Sequence, residues 1–393
     1  MSLLPVAEAQ ARLLAMARTL PDETVAIAEA SGRWTTSEIT ARRTQPACDL
    51  SAMDGYAIRF ADMAGPWRVI GESAAGAAFA GAIQPGEAVR IYTGAVMPDG
   101  ADTVVIQEDV SHEGDMLHLT GDRPGAKGRH VRSAGSDFRE GQPLIPAGTA
   151  LTPRHIALAA LAGWGTLPLP RLPRIALLST GSELVPPGAA AGLDQIPASN
   201  GVMLSTMLGG LPCVVEDLGI ITDELGALTE AMRSVRDHDI VVTTGGASVG
   251  DHDLVKPALE AADGSIDFWK IRMRPGKPLI AGTLGNALFL GLPGNPVSAY
   301  VTAHLFLLPM VRHMAGCPGP LPDVAGARLG AAMAPVGGRD DYVRGVLADG
   351  IATPLGAQDS AATLALARAN CLIRREAGSA AAQAGEEVSI LPL

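Results

Sequence analysis

The run Ile240-Val241-Val242 has no polar face. A strand of that kind is stable only where both sides are covered, as in a parallel sheet between two layers of helices. Arg174-Ile175-Ala176-Leu177-Leu178 is a second such run. Between them the residues predict a helix over 200–208, a strand over 213–218 and a helix over 223–235 with Asp223 as its N-cap. Strands separated by helices imply right-handed crossovers. A strand over 266–271, a hairpin over 279–290 and a helix over 300–310 follow. The fold class expected is α/β multidomain, built on a three-layer α/β/α parallel-sheet domain. Ligands of such sheets bind beyond the carboxyl ends of the strands, so the loops after Leu178 and Val242 should open on one site.

At 393 residues the chain exceeds one ordinary core, and roughly two to four domains are expected. Val6, Leu13, Leu14 and Ala17 suggest an amphipathic first helix, followed by a strand over 24–27. Residues 67–110 alternate short apolar runs with Gly, Pro and Asp turns, which reads as a small β-rich domain. Thr152-Pro153 combines a favoured N-cap with a favoured first helical residue. Three prolines within residues 168–173 read as a linker, and residues 321–393 as a small β-barrel or sandwich with a helical turn over 364–368.

Thirty Lys+Arg against 41 Asp+Glu give a net charge of −11, which disfavours a general nucleic-acid binder. The four scattered cysteines show no zinc or disulfide spacing. The N-terminus lacks a signal-peptide pattern, and no run approaches the roughly 18 to 20 apolar residues of a membrane span, so a cytoplasmic location is expected.

The expected site gathers several kinds of group. Thr243-Thr244-Gly245-Gly246-Ala247-Ser248-Val249-Gly250 lets backbone N–H groups approach a ligand, and Asp251, His252 and Asp253 follow. Ser179-Thr180-Gly181-Ser182-Glu183 closes the other buried strand. Lys270, Arg272, Arg274 and Lys277 crowd around a Pro-Gly turn in an otherwise acidic chain, which suits an oxyanion. Gly291-Leu292-Pro293-Gly294-Asn295-Pro296 precedes a helix whose N-terminus offers free N–H groups. Cations bind phosphate, and carboxylates beside phosphate hold a divalent ion such as Mg²⁺, so the chemistry indicated is transfer at a phosphate. The absence of a GxxxxGK[ST] loop argues against a P-loop NTPase, and a serine hydrolase is poorly supported because His252 is the only histidine within these loops.

Six segments in order carry a resemblance: SAMDGYA at Ser51, TGAVMPDGADTVV at Thr93, STGSEL at Ser179, TTGGASVGDHD at Thr243, the Pro-Gly-Lys-Pro turn at Pro275 and GLPGNPVSA at Gly291. Over nearly its whole length the chain resembles the molybdenum insertases, the molybdopterin molybdenumtransferase family that includes the E domain of gephyrin. The resemblance implies Mg²⁺-dependent transfer of molybdate onto adenylylated molybdopterin, with AMP released and molybdenum cofactor formed. It implies a homodimer of four-domain subunits with shared active sites. The division it suggests is a discontinuous helical/β linker domain (1–26 and 128–172), a small β-rich domain (27–127), a molybdopterin-binding α/β domain (173–318) and a C-terminal β-barrel domain (319–393).

By the same resemblance, Asp223 and Asp253 would hold Mg²⁺ and the pyrophosphate region, with Thr180, Gly181, Ser182, Gly245, Gly246, Ser248, Gly250, Pro293, Gly294, Asn295 and Pro296 around the ligand. Lys270, Arg274 and Lys277 would face molybdate or phosphate, Glu183 would lie in the cleft, and Asp54, Thr93 and Asp137 would complete it from the β-rich domain. Arg339 and Ser360 best match the family's C-terminal molybdate residues, although the segment around Ser360 is less glycine-rich here. Arg274 stands where the family often has Lys, which keeps the charge and changes its geometry. Molybdopterin adenylyltransferase and molybdoenzyme-maturation proteins are the expected partners. Two other functions fit part of the pattern, molybdopterin adenylylation and a gephyrin-like scaffold.

Overall fold

The computed structural model describes residues 3–246 and 254–393. Its largest sheet has six strands in the order Val214–Ile221, Arg174–Thr180, Ile240–Thr244, Ala287–Leu292, Ile280–Leu284 and Gly264–Trp269. The first four are mutually parallel, and Ile280–Leu284 runs antiparallel to both its neighbours, as the return strand of a hairpin must. Alternate residues serve opposite layers, as the strand period requires. Ile175, Leu177, Ile240 and Val242 pack with Leu204, Leu208, Val297 and Val301, whereas Ala176, Leu178 and Val241 pack with Leu228, Met232, Val255 and Leu259.

Several elements differ from the sequence-based expectation. The helix expected from Asp223 begins at Leu225, and Glu224 holds the N-cap position without a side-chain capping bond. Asp223 is drawn away because its carboxylate accepts the Ser182 N–H at 3.2 Å. The helix expected from Tyr300 begins at Pro296 and continues to Met314 through a wider-turn segment, Ala303–Leu307, just before Pro309, whose missing N–H a regular ladder cannot use. The proline-rich residues 168–170 belong to a strand, Thr166–Pro170, paired with Asp22–Ala26. With only two strands in that sheet, every strand is an edge, and prolines are tolerated. Helix Val6–Met16 lies with the large sheet rather than with residues 128–172, because Val6, Ala9 and Leu13 share the core of Ile240 and Leu290.

The β-rich region folds as a six-stranded sheet ordered Thr103–Ile106, Gly55–Ile58, Glu87–Ile91, Trp67–Ser73, Met116–Leu119 and Val110–Glu113. Gly55 is required there, since a Cβ would lie 2.0 Å from the Val105 carbonyl oxygen. Near the C-terminus, Ala325–Leu329, Asp340–Ala348, Ile351–Pro354, Cys371–Arg375 and Glu387–Pro392 close a barrel, because Asp340–Ala348 pairs with both Ile351–Pro354 and Cys371–Arg375. Met273–Arg274 adds to that barrel in parallel beside Asp340 and Asp341, which ties the basic turn to it. Helix Pro153–Leu161 starts at the expected Thr152, and His155, which the sequence reading did not single out, completes a capping box by accepting the Thr152 N–H at 3.1 Å. Among the described residues, no helix is long and apolar enough to cross a membrane.

Arg171 joins the proline strand to the large sheet, donating to both carboxylate oxygens of Asp239 at 2.7 and 2.6 Å, while the Arg174 N–H donates to the same group at 2.8 Å. Burial would raise the Asp239 carboxyl, but the Arg171 hydrogen bonds and the Arg174 N–H outweigh it and hold the pKa below the usual carboxylate value. A depressed folded-state pKa gives stability that is present above the unfolded pKa and lost as pH falls through the folded one. Asp239→Asn should therefore lower unfolding stability by about 2 kcal/mol at neutral pH. In denaturant titrations that deficit should shrink below about pH 4, where the wild-type carboxylate also begins to lose its charge. A deficit independent of pH would contradict this account.

Candidate functional site

A cleft of about 720 Å³ opens at the carboxyl ends of the central strands. Ser179, Thr180, Gly181 and Glu183 line it from one loop, Thr244, Gly245 and Gly246 from the next, and Pro293, Gly294, Asn295 and Pro296 from a third. Asp223, Asn200 and Pro278 complete it from the same domain, and Ala361 and Thr363 reach in from the barrel.

Close backbone approach sets these loops. Thr180 is buried and donates its hydroxyl to the Thr244 carbonyl at 3.3 Å. Gly245 has φ +93°, and a Cβ there would lie 2.3 Å from the Thr180 carbonyl oxygen. Gly294 packs against it, with its would-be Cβ 3.4 Å from the Gly245 Cα. Asn200 donates to the Gly294 carbonyl at 2.7 Å, and its own amide oxygen is buried without a partner among the described residues.

The barrel's contribution rests on one hydrogen-bonded segment. Asn295 Nδ2 donates to the Ser360 hydroxyl at 2.9 Å, and the Val297 N–H donates to the Ser360 carbonyl at 3.1 Å. One N–H of the helix start is thereby occupied by protein. Arg344, only 1% exposed, donates to the Ala357 and Asp359 carbonyls at 2.8 and 3.0 Å, and Gln358 bonds the Arg344 backbone in both directions. Arg344 and Gln358 thus hold Ser360 in place. Sequence reasoning missed both, because an arginine inside a strand pattern reads as a solvated outer face.

The basic residues are spread. Lys270 has φ +81°, and its ammonium lies 4.9 Å from the Trp269 ring centroid. The Arg274 fork is engaged by Asp341, with Nε donating at 2.9 Å and Nη2 to the second oxygen. Lys277 is exposed and Arg339 half-buried, and neither has an ion-pair partner among the described residues. Asp54 and Thr93 do come together, since the Thr93 N–H and hydroxyl donate to Asp54 Oδ1 at 2.7 and 2.8 Å. Those two bonds, the backbone one first, hold the Asp54 carboxyl below its usual pKa. Asp137 is exposed on a separate loop. Asp54, Thr93 and Asp137 do not line the cleft of their own chain. Ser248, Gly250 and Asp253 lie outside the described residues.

The arrangement offers carboxylates, amide and hydroxyl groups and small-residue backbone to a polar ligand with an anionic part. Gly245→Ala should break its spacing, because positive φ and the Thr180 carbonyl both oppose a side chain. Urea titration should show a loss of about 1 to 3 kcal/mol. Stability equal to wild type would mean that the loops do not pack this closely.

Comparison with known proteins accounts for most of the chain. Residues 4–163 match the MoeA N-terminal region (domain I and II), residues 176–313 a probable molybdopterin binding domain, and residues 326–393 the MoeA C-terminal region (domain IV). A molybdopterin molybdenumtransferase of Haemophilus influenzae is 34% identical over 377 residues, 93% of this chain and 92% of that protein. One from Nostoc sp. is 34% identical, covering 94% of this chain and 88% of the relative. The crystal structure of a molybdopterin biosynthesis MoeA protein from Pyrococcus horikosii superimposes with a TM-score of 0.87 at 28% identity, covering 100% of this chain and 99% of that one. The chain belongs to the molybdopterin molybdenumtransferase (MoeA) family.

Proposed function

We propose that the protein transfers molybdate onto adenylylated molybdopterin, releasing AMP and forming molybdenum cofactor. The observation that carries this reading is the convergence of the glycine loops with Glu183 and Asp223 in one cleft of the sheet domain. The likeness to molybdopterin molybdenumtransferases supports the choice of substrates. Thr180, Gly181, Ser182, Gly245, Gly246 and the segment 293–296 bind and orient the adenylylated substrate. Lys277 and Arg339 supply charge for the molybdate oxyanion, with Lys270 close to the same turn, and Ser360 contributes from the cleft rim beside Asn295. Arg274 takes part to the extent that Asp341 leaves its donors available.

Mg²⁺ fits the donor set. Glu183 and Asp223 offer two hard oxygen ligands on the cleft. Sparse protein ligation suits Mg²⁺, which uses one or two carboxylates together with substrate phosphates and waters. Glu183, Asp223 and, from the sequence, Asp253 would hold the ion. When bound, it neutralises charge on the phosphates.

The separation of Asp54, Thr93 and Asp137 from the cleft of their own chain supports a homodimer in which the β-rich domain of each subunit completes the other's site. The reading places the enzyme in the cytoplasm, downstream of a molybdopterin adenylyltransferase and upstream of molybdoenzyme-maturation proteins.

Incubation with adenylylated molybdopterin, molybdate and Mg²⁺ should release AMP in proportion to cofactor formed. ATP consumption would instead indicate an adenylyltransferase, and no turnover would indicate a scaffold. Lys277→Ala should raise the molybdate concentration for half-maximal turnover by about ten- to a hundredfold, as expected for loss of one charged hydrogen-bond partner. An unchanged value would remove Lys277 from the oxyanion site. Mixing Asp54→Ala with Glu183→Gln subunits should restore part of the activity that each lacks alone, and no recovery after verified subunit exchange would argue for a site within one chain.

A further inference from the structure

A second pocket of about 310 Å³ adjoins the cleft, between strand Val214–Ile221 and helix Ser199–Leu208. It shares Ser179 and Ala198 with the cleft, so the two are neighbouring compartments. Pro186, Pro187, Val202 and Ile220 supply apolar walls, which only Ser179 and Asp217 interrupt with polar side chains.

The placement of those two groups is built into the sheet. Along strand Arg174–Thr180, Leu177 lies opposite Asp217 but Ser179 lies opposite Ile220, so the edge strand carries an extra residue here. A bulge of this kind re-aims a side chain. The Gly219 N–H, at φ +75°, donates to Asp217 Oδ1 at 2.9 Å and orients the carboxylate. A Cβ on Gly201 would lie 3.1 Å from Asp217 Oδ2 and 3.1 Å from Ser179 Oγ, so both groups converge on the space this glycine leaves at the first turn of the helix. Ser179 is only 4% exposed, and its hydroxyl has no hydrogen-bond partner among the described residues.

We infer that this side pocket holds a flat amino-substituted heterocycle. Asp217 accepts from its exocyclic amino group and any adjacent ring N–H, the Ser179 hydroxyl bonds a ring nitrogen, and the prolines, Val202 and Ile220 cover the ring faces. A carboxylate is acceptor-only and a hydroxyl both donates and accepts, which together match the hydrogen-bonding edge of such a ring. The inference rests on the proposed reaction for its ligand, whose pterin and adenine rings share this chemistry, and it assigns the ring a place distinct from that of the phosphates.

Calorimetric titration of the full chain with AMP, 6-hydroxymethylpterin and ribose 5-phosphate tests it. Asp217→Asn preserves shape and should weaken a ring-bearing probe about tenfold or more, leaving ribose 5-phosphate unchanged. Gly201→Ala, which fills the space between the two groups, should weaken the same probe. An effect confined to AMP assigns the pocket to adenine, and one confined to the pterin assigns it to that ring. Unchanged ring binding in both variants, or an equal loss of ribose 5-phosphate, would overturn the inference. Absence of molybdate-dependent AMP release alongside a ring-selective Asp217→Asn effect would overturn the proposed reaction and leave the pocket standing.

Discussion

The contact between Gly245 and the Thr180 carbonyl governs the geometry of this molecule's cleft. Two adjacent parallel strands end there, and their following loops can share a site only if one backbone passes within van der Waals reach of the other. A side chain at Gly245 would force them apart. The Gly294 loop packs on the same glycine, and Asn200 fixes that loop from helix Ser199–Leu208. The small residues of these loops are therefore a packing requirement before they are a binding device.

The barrel depends on this arrangement from outside. Its strand Asp340–Ala348 captures the basic turn through Met273–Arg274, and the Arg274–Asp341 pair reinforces the junction. Further along the same strand, buried Arg344 gathers the carbonyls of residues 357 and 359 and so presents Ser360 to Asn295. The C-terminal region thus meets the sheet domain at two points, one beside the cationic turn and one on the cleft rim. Removing the barrel would take away part of the cleft wall, not merely an appended domain.

Much of this was legible from residue patterns, and the failures have physical causes. The strands over 174–178 and 240–242 could be read because their runs lack a polar face, although each extends two polar residues further in the structure, and the helix at Pro153 because Thr152 and Pro153 carry start signals with a defined mechanism. Asp223 looked like an N-cap because an aspartate before a helix is the usual cap, and only the fold brings the Ser182 N–H to compete for it. The proline strand was hidden because proline argues against a strand unless its edges are free. Arg274 and Asp341 stand 67 residues apart, so their pairing had no local signature. The bulge beside Asp217 is likewise a property of register between strands, invisible in either strand alone.

The central claim is that loops from separate elements act as one ligand site. Hydrogen–deuterium exchange of the full chain with and without AMP tests it most directly. The account predicts slowed exchange at residues 179–184, 244–246 and 293–297 together, and at 358–363 through the Ser360 contact. Protection confined to one of these loops, or lying away from the strand ends, would contradict it.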